Sequence, residues 1–500
     1  MWNPSSLYPV SVPPWPWNNP MPVLILLPFI IALMLIFQTR KPTKESDDGW
    51  FESLLVSETF FLDDHPSPGV ESVFQCEDIV KTIAYLEQRV RDIIAKNPWT
   101  MGRLKRRGWF RLGKVWVPRE KDHAETNGSK NSSKGSTFFQ VLHIDDLACR
   151  PQDCDVARGA QSYDKDEPLV KLRLLVPHRF SQDTDRGHDS DRVVLVLSMS
   201  HMIADASSVY QLWGMLNPGN PIRSLQFKRL LSVFPFHALS RNGLLKILWW
   251  FYHCDFGVVQ KILFGADPFS ETPRLHTCRY VKKTWISEQK AKHIPSDRVP
   301  FVSSHDLLAS WFFQQFPYCC AGSTAINMRG RSRHHPQLNQ DYVGNYASVL
   351  IFTKADYQSP TDIRLAVDAR GSSTGIGRTS SRRCGMITAW HSYYQHVDLP
   401  YCHHIIHSVS KRMFPPATIT SNGTNDETNR SDQETKTIHS NSSWTSSSPA
   451  TASASTLPPV PDTPFLVIFN ASPDQLAVLC ITKEPLRDDA PLGDVVVGWD

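Results

Sequence analysis

The strongest periodicity in the chain runs from Val73 to Lys96 (VFQCEDIVKTIAYLEQRVRDIIAK), where Val80, Ile83, Ala84, Leu86, Val90 and Ile93 recur at helical spacing. That pattern predicts an amphipathic helix, closed at Asn97-Pro98 because proline cannot continue it. Shorter β-type runs predict strands at 109–118, 138–144, 168–176 and 193–199, and a helix near 206–216 follows the last of them. Farther on, 304–316 (SHDLLASWFFQQF) predicts a second amphipathic helix, with strands near 323–328 and 346–353. A closing hairpin pairs Phe465–Asn470 with Leu476–Thr482 across the turn Ser472-Pro473-Asp474. Strands alternating with helices in both halves predict an α/β fold.

Other stretches do not fit a globular core. Met21–Phe37 is apolar and uncharged, interrupted by Pro28, preceded by Trp2, Trp15 and Trp17 and followed by Arg40, Lys41 and Lys44. A membrane span needs about 20 apolar residues, so this run is at the short end. Its basic residues follow the apolar run, the reverse of a cleaved signal peptide. Residues 21–38 are therefore expected to be a single-pass membrane anchor behind a Pro/Trp-rich segment, 1–20. The positive-inside rule puts the long C-terminal part in the cytosol, and the endoplasmic reticulum is the expected membrane. The pattern N-x-[ST] at Asn127, Asn131, Asn422, Asn429, Asn441 and Asn470 would suit a lumenal domain. Most of these sites fall in Ser/Asn-rich stretches where composition alone produces them, so the flanking charge carries more weight. From Gly243 to Gly265 the chain is apolar almost all round, which fits a buried crossover helix or one lying in the membrane interface. The polar stretch 121–136 reads as a loop. Residues 417–463, rich in Ser, Thr, Asn and Pro, read as a disordered insertion within a domain. The implied organisation is an N-terminal lobe at 45–225, a crossover at 226–283 and a C-terminal lobe at 284–500 that contains the insertion.

Composition narrows the function classes. The chain has 500 residues, 41% hydrophobic and 20% charged, enough for two or three domains or one large two-lobed domain. A net charge of +4 without a concentrated Lys/Arg run gives no reason to expect a nucleic-acid partner. Ten scattered cysteines without a C-x-x-C pair argue against a zinc site and a disulfide framework, and fit a reducing compartment.

Candidate chemistry centres on RVVLVLSMSHMIADASSVYQLWGML at 192–216, where His201 follows a buried strand and precedes a helix. Such a loop presents a side chain from a rigid scaffold. A histidine of near-neutral pKa can take a proton from an attacking hydroxyl or amine and return it to the leaving group. Asp205, four residues on, is too close in sequence for an ordinary triad partner and suits a salt bridge that fixes the loop.

The stretch resembles the HxxxD signature of the CoA-dependent acyltransferases: the BAHD family, trichothecene-type O-acetyltransferases, chloramphenicol acetyltransferase and peptide-synthetase condensation domains. Asn97-Pro98-Trp99-Thr100-Met101-Gly102-Arg103-Leu104 is similar to the N-terminal P-x-x-x-G-R-L turn of that superfamily. Ser303–Trp311 resembles the helix that starts its second lobe. Asn327-Met328-Arg329-Gly330-Arg331, then Pro336 and Gly344-Asn345, resembles N-x-R-x-R…P…G-N. The resemblance covers roughly 50–485. It implies a two-lobed, chloramphenicol-acetyltransferase-like α/β fold with a central channel where acyl-CoA, a co-substrate rather than a bound cofactor, meets the acceptor at His201. It also implies an Asp205–Arg329 salt bridge, no covalent acyl-enzyme, and Gly344 and Asn345 as channel or oxyanion groups. The chain is expected to be a monomer acting on an alcohol or amine, with a hydrophobic acceptor favoured by its Trp/Phe-rich stretches.

The sequence departs from the pattern at Ser200, where the longer signature has a second histidine, and at Ala206, where it has glycine. A D-F-G-W-G element is missing, and Thr420-Ser421-Asn422 is the nearest counterpart of the Thr-Ser-Trp strand that holds the oxyanion. Two alternatives stand beside acyl transfer: a catalytically silent membrane-tethered binding protein, and a condensation enzyme using carrier-bound thioesters. Gly371-Ser372-Ser373-Thr374-Gly375 fits G-x-S-x-G but lacks the strand and helix of a nucleophile elbow. Cys402, His403, His404 and His407, placed on one helix face, lack the carboxylate or paired motif that would complete a metal site, so no metal is expected.

Overall fold

The computed structural model describes residues 49–55, 58, 67–106, 113–118, 138–145, 154–157, 162–178, 192–230, 275–319, 321–331, 336–369, 384–409 and 464–496. The expected anchor 21–38, the apolar stretch 243–265, the insertion 417–463 (with Thr420 and Ser421) and the sequons other than Asn470 lie outside them. Among the described residues no helix is long and apolar enough to cross a membrane.

The first half of the chain forms β1 (Gly49–Ser53), β2 (Gly69–Cys76), α1 (Ile79–Lys96), β3 (Arg103–Arg106), β4 (Gly113–Pro118), β5 (Phe139–Ile144), β6 (Val170–Pro177), β7 (Arg192–Met199) and α2 (Ala206–Gly214). The second half forms β8 (Leu275–Val281), α3 (Lys283–Ala291), α4 (Ser304–Gln315), β9 (Ala321–Asn327), β10 (Ala347–Thr353), α5 (Pro360–Asp368), β11 (Cys384–Ala389), β12 (Cys402–Val409), β13 (Phe465–Ser472), β14 (Gln475–Thr482) and β15 (Leu492–Val495). The architecture is mixed α/β. One sheet has the order β12-β2-β7-β6-β5, a larger one β10-β9-β11-β13-β14-β8-β15, and a small one β1-β4-β3.

Burial explains the apolar runs in the five-stranded sheet. Leu172, Leu174, Val193, Leu195 and Leu197 face the main core, while Leu175, Val194 and Val196 fill a second cluster on the opposite face. A strand covered on both faces loses its polar alternation.

The helix expected over 73–96 is in fact a strand followed by a helix. Val73–Cys76 belongs to β2, and α1 starts only after Asp78, whose Oδ1 accepts the Lys81 N–H at 3.0 Å. GVESVFQC pairs residue by residue with β7 from Gly69 to Gln75, and the N-cap aspartate marks the change of period. At the far end of α1, buried Asn97 donates through Nδ2 to the carbonyls of Ile93 and Arg223 and accepts the Leu225 N–H at 2.8 Å. Gly102 follows in a tight turn, where a Cβ would sit 2.8 Å from both the Trp99 carbonyl and Val115.

The second half gives one strand to the first sheet. After β11 in the larger sheet the chain crosses to pair β12 antiparallel with β2, then returns as β13 beside β11. A boundary drawn at residue 284 therefore does not separate the two sheets. Cys402, His403, His404 and His407 lie on this strand, not on a helix, so their spacing alternates between faces. His407 is buried between the Ser72 hydroxyl and the Tyr210 hydroxyl, each 2.9 Å from a ring nitrogen.

Candidate active site

His201 lies in the turn between β7 and α2, partly buried. Its Nδ1 is 3.0 Å from the Ala204 carbonyl. A carbonyl oxygen only accepts, so Nδ1 carries the hydrogen and Nε2 holds the basic lone pair. Burial lowers the pKa of this imidazole from the ordinary histidine value, outweighing the Ala204 carbonyl and the Asp205 charge, which act in the opposite direction. The ring is thus kept neutral, with a defined tautomer.

Asp205 is the N-cap of α2. Its Oδ1 accepts the Ser208 N–H at 3.0 Å and the Ser208 hydroxyl at 2.9 Å. Its Oδ2 meets Arg329 Nη1 at 2.7 Å, so the structure brings together the two residues that the sequence motifs paired. All five N–H donors of Arg329 have acceptors. Nε donates to the Tyr342 carbonyl (2.7 Å), Nη1 to Asp205 and to Asn327 Oδ1 (3.1 Å), and Nη2 to the Gly344 carbonyl (2.8 Å) and Ser208 Oγ (3.1 Å).

Gly344 and Asn345 support the same loop from the second half. Gly344 has φ 148°, and a Cβ there would come 2.9 Å from the Tyr346 ring, so the position requires glycine. Asn345 Nδ2 donates to the His201 carbonyl, and its backbone N–H donates to Glu58 Oε1 at 3.2 Å. Their observed contacts hold the histidine loop.

A second arginine was not foreseen in the sequence. Arg229 and Glu58 form an ion pair at 2.9 Å with both side chains fully buried. Arg229 Nη2 also donates to the Ile203 carbonyl (3.0 Å), in the middle of the His201–Asp205 loop, and Nη1 to the carbonyls of Phe227 (2.8 Å) and Val343 (2.9 Å). The consecutive carbonyls of Tyr342, Val343 and Gly344 therefore bind Arg329, Arg229 and Arg329 in turn. Glu58 lies 171 positions from Arg229 in no recognisable motif, so only the fold reveals the pair. Glu58→Gln keeps the shape but leaves Arg229 buried without its counter-charge, and is expected to destabilise the fold by about 3–5 kcal/mol. Urea unfolding measures this; an unchanged midpoint would mean that the pair contributes nothing to holding the loop.

The second half also supplies a hydroxyl beside the aromatic contacts of α2. Thr388 and Ala389 end β11, and the indole N–H of Trp390, the next residue, donates to Thr388 Oγ1 at 3.1 Å. Indole nitrogen only donates, so the Thr388 oxygen is the acceptor in this bond. The Trp390 ring packs edge-on against Tyr210 of α2, with centroids 6.4 Å apart. Among the described residues no group of three or more His, Cys, Asp or Glu side chains is arranged to hold a metal ion.

No family model matches this sequence, and no curated protein does. Solved structures do. TRI101 of F. sporotrichioides, in complex with coenzyme A and T-2, is 12% identical, aligns over 86% of this chain and 94% of its own, and has a TM-score of 0.50. TRI101 of F. graminearum with coenzyme A and deoxynivalenol is 10% identical over 87% and 95%, also at 0.50. Vinorine synthase aligns over 91% and 94% at 11% identity, with a TM-score of 0.48.

Proposed function

We propose that this protein, whose fold is similar to that of TRI101, moves an acyl group from acyl-CoA to the hydroxyl or amine of a small, hydrophobic acceptor. The observation that carries the reading is His201 itself, held neutral with Nε2 as its basic nitrogen on a loop fixed by Asp205 and Arg329. Coenzyme A together with T-2 or deoxynivalenol in TRI101 supports a two-substrate site on this fold.

In this mechanism Nε2 takes the acceptor proton as its oxygen or nitrogen attacks the thioester carbonyl. The tetrahedral intermediate collapses, the C–S bond breaks, and the imidazolium returns the proton to the CoA thiolate. No acyl-enzyme forms. Asp205 and Arg329 act through the loop and touch neither substrate. Thr388, whose hydroxyl stands at the end of β11, is a candidate oxyanion donor beside Thr420 and Ser421. The direct test is release of free CoA thiol by the purified protein from a short acyl-CoA, with acceptors pooled by class. Thioester consumption that requires an acceptor supports the reading; none across alcohols and amines would favour a silent binding protein.

The pH profile tests the same assignment. The working base is the neutral ring, and burial lowers its pKa, so the ascending limb of kcat/KM is expected below pH 6.5. A limb at or above that value would mean that another group is titrating. Anchoring by residues 21–38, with the catalytic part on the cytosolic side of the endoplasmic reticulum, belongs to the same proposal and is supported by the charges after the apolar run. Resistance of the protein to carbonate extraction would agree with it.

A further inference from the structure

We propose that Cys76 and Cys402 form a reversible disulfide that fastens β12 to β2. The inference does not depend on acyl transfer. The two residues are direct partners in the antiparallel register of these strands. The Glu77 N–H donates to the Tyr401 carbonyl at 2.8 Å, one step outside the pair. That bond marks Cys76 and Cys402 as a non-hydrogen-bonded pair, the kind whose Cα atoms lie about 4.5 Å apart with side chains close together. A disulfide needs a Cα separation of about 4.4–6.8 Å.

The side chains converge as well. Thr82 Oγ1 lies 3.5 Å from Cys76 Sγ and 3.4 Å from Cys402 Sγ, so both sulfurs flank one hydroxyl. Both thiols are free. The facing Cys402 S–H lowers the Cys76 thiol to about 7, while the facing Cys76 pushes Cys402 up. One of the pair is thus disposed to be a thiolate and the other to remain a thiol. Tyr401, with φ 63°, puts a left-handed step directly before Cys402 and turns it into the strand.

Exposure sets the order of events. Cys76 is 1% exposed and Cys402 is partly exposed. With a glutathione disulfide as oxidant, the Cys402 sulfur attacks one glutathione sulfur, and the glutathione thiolate released takes up the Cys402 proton. The Cys76 thiolate then attacks the Cys402 sulfur of the mixed disulfide and expels the second glutathione as a thiolate, which is protonated by water. The protein loses two electrons and one S–S bond forms within it. The partial exposure of Cys402 leaves the bond open to attack by a solution thiol, which fits a reversible link rather than a permanent staple.

The fastened end belongs to the segment between β11 and β12. Trp390 and Tyr394 of that segment pack against Tyr210 of α2, the helix capped by Asp205. Oxidation would therefore tie down one end of a segment that leans on the helix behind His201.

The test uses the full chain, incubated with oxidised glutathione or with dithiothreitol, then alkylated and digested without reductant. The expected result is a linked peptide pair containing Cys76 and Cys402, two hydrogens lighter than the separate reduced peptides and absent after dithiothreitol. The oxidised protein is expected to melt at a higher temperature, a gain that Cys402→Ser abolishes. Recovery of both residues as alkylated thiols under the oxidant, or of Cys402 only as a glutathione adduct, would overturn the proposal. So would a link that leaves the melting temperature unchanged. The peptide map needs only the unmodified sequence, so a poorly folding variant does not blunt it.

Discussion

His201→Ala is expected to lower the rate of acyl transfer by about 10²–10⁴-fold, the usual contribution of a positioned general base. The fold should survive the change. The loop around His201 is held through its carbonyl by Asn345, through Ile203 by Arg229 and through Asp205 by Arg329, and none of these contacts uses the imidazole. Binding of CoA, measured by calorimetry, is expected to be unchanged while turnover falls. That combination separates a chemical role from a structural one. Turnover within a fewfold of the parent would sink the assignment of His201 as the base.

The second large effect falls on stability. Arg329→Met leaves Asp205 without its partner beside the buried Ser208, and is expected to destabilise the fold by about 3–5 kcal/mol. Asp205→Asn isolates the charge, because asparagine caps a helix as well as aspartate does and keeps the bond from the Ser208 N–H. It strands the Arg329 guanidinium, and a loss of the same order follows. The double variant should cost less than the two single losses added together, since removing the second partner relieves the charge stranded by the first. Urea unfolding of the four proteins reads the coupling directly. Additive losses would show that Asp205 and Arg329 act independently despite their 2.7 Å contact. Turnover should fall with loop order, and in Asp205→Asn the pH at which it half-rises should move down, because the Asp205 charge raises the His201 pKa.

What the sequence made legible depends on whether the physics is local. Asp205 and Arg329 are separated by 124 positions, yet each sits in a short motif with recognisable neighbours, so their pairing can be anticipated. Arg229 and Glu58 carry no such signal, because a buried ion pair between residues 171 positions apart has no periodicity to betray it. The junction at Cys76–Asp78 was obscured for a different reason. Apolar residues at Val73, Val80, Ile83 and Ala84 fit a helical spacing, and only the cap geometry of Asp78 shows where the period changes. Cys402–Val409 reads plausibly as a strand once its alternation is noticed, but nothing local says which sheet it joins. That choice is made by contacts with Ser72, Tyr210 and Thr82, far away along the chain.

The exchange of β12 into the first sheet also sets a clock on biosynthesis. Ser72 and its partner His407 are 335 positions apart. At a translation rate of about 5–20 residues per second, roughly 20–70 s pass between the appearance of one and the other. From the completion of β7 until β12 is made, β2 is the outer strand of the partial sheet, with the hydrogen-bonding groups of one side unmatched. The protein thus depends on whatever keeps that strand from pairing with a neighbour on the same message until its own distant segment is made.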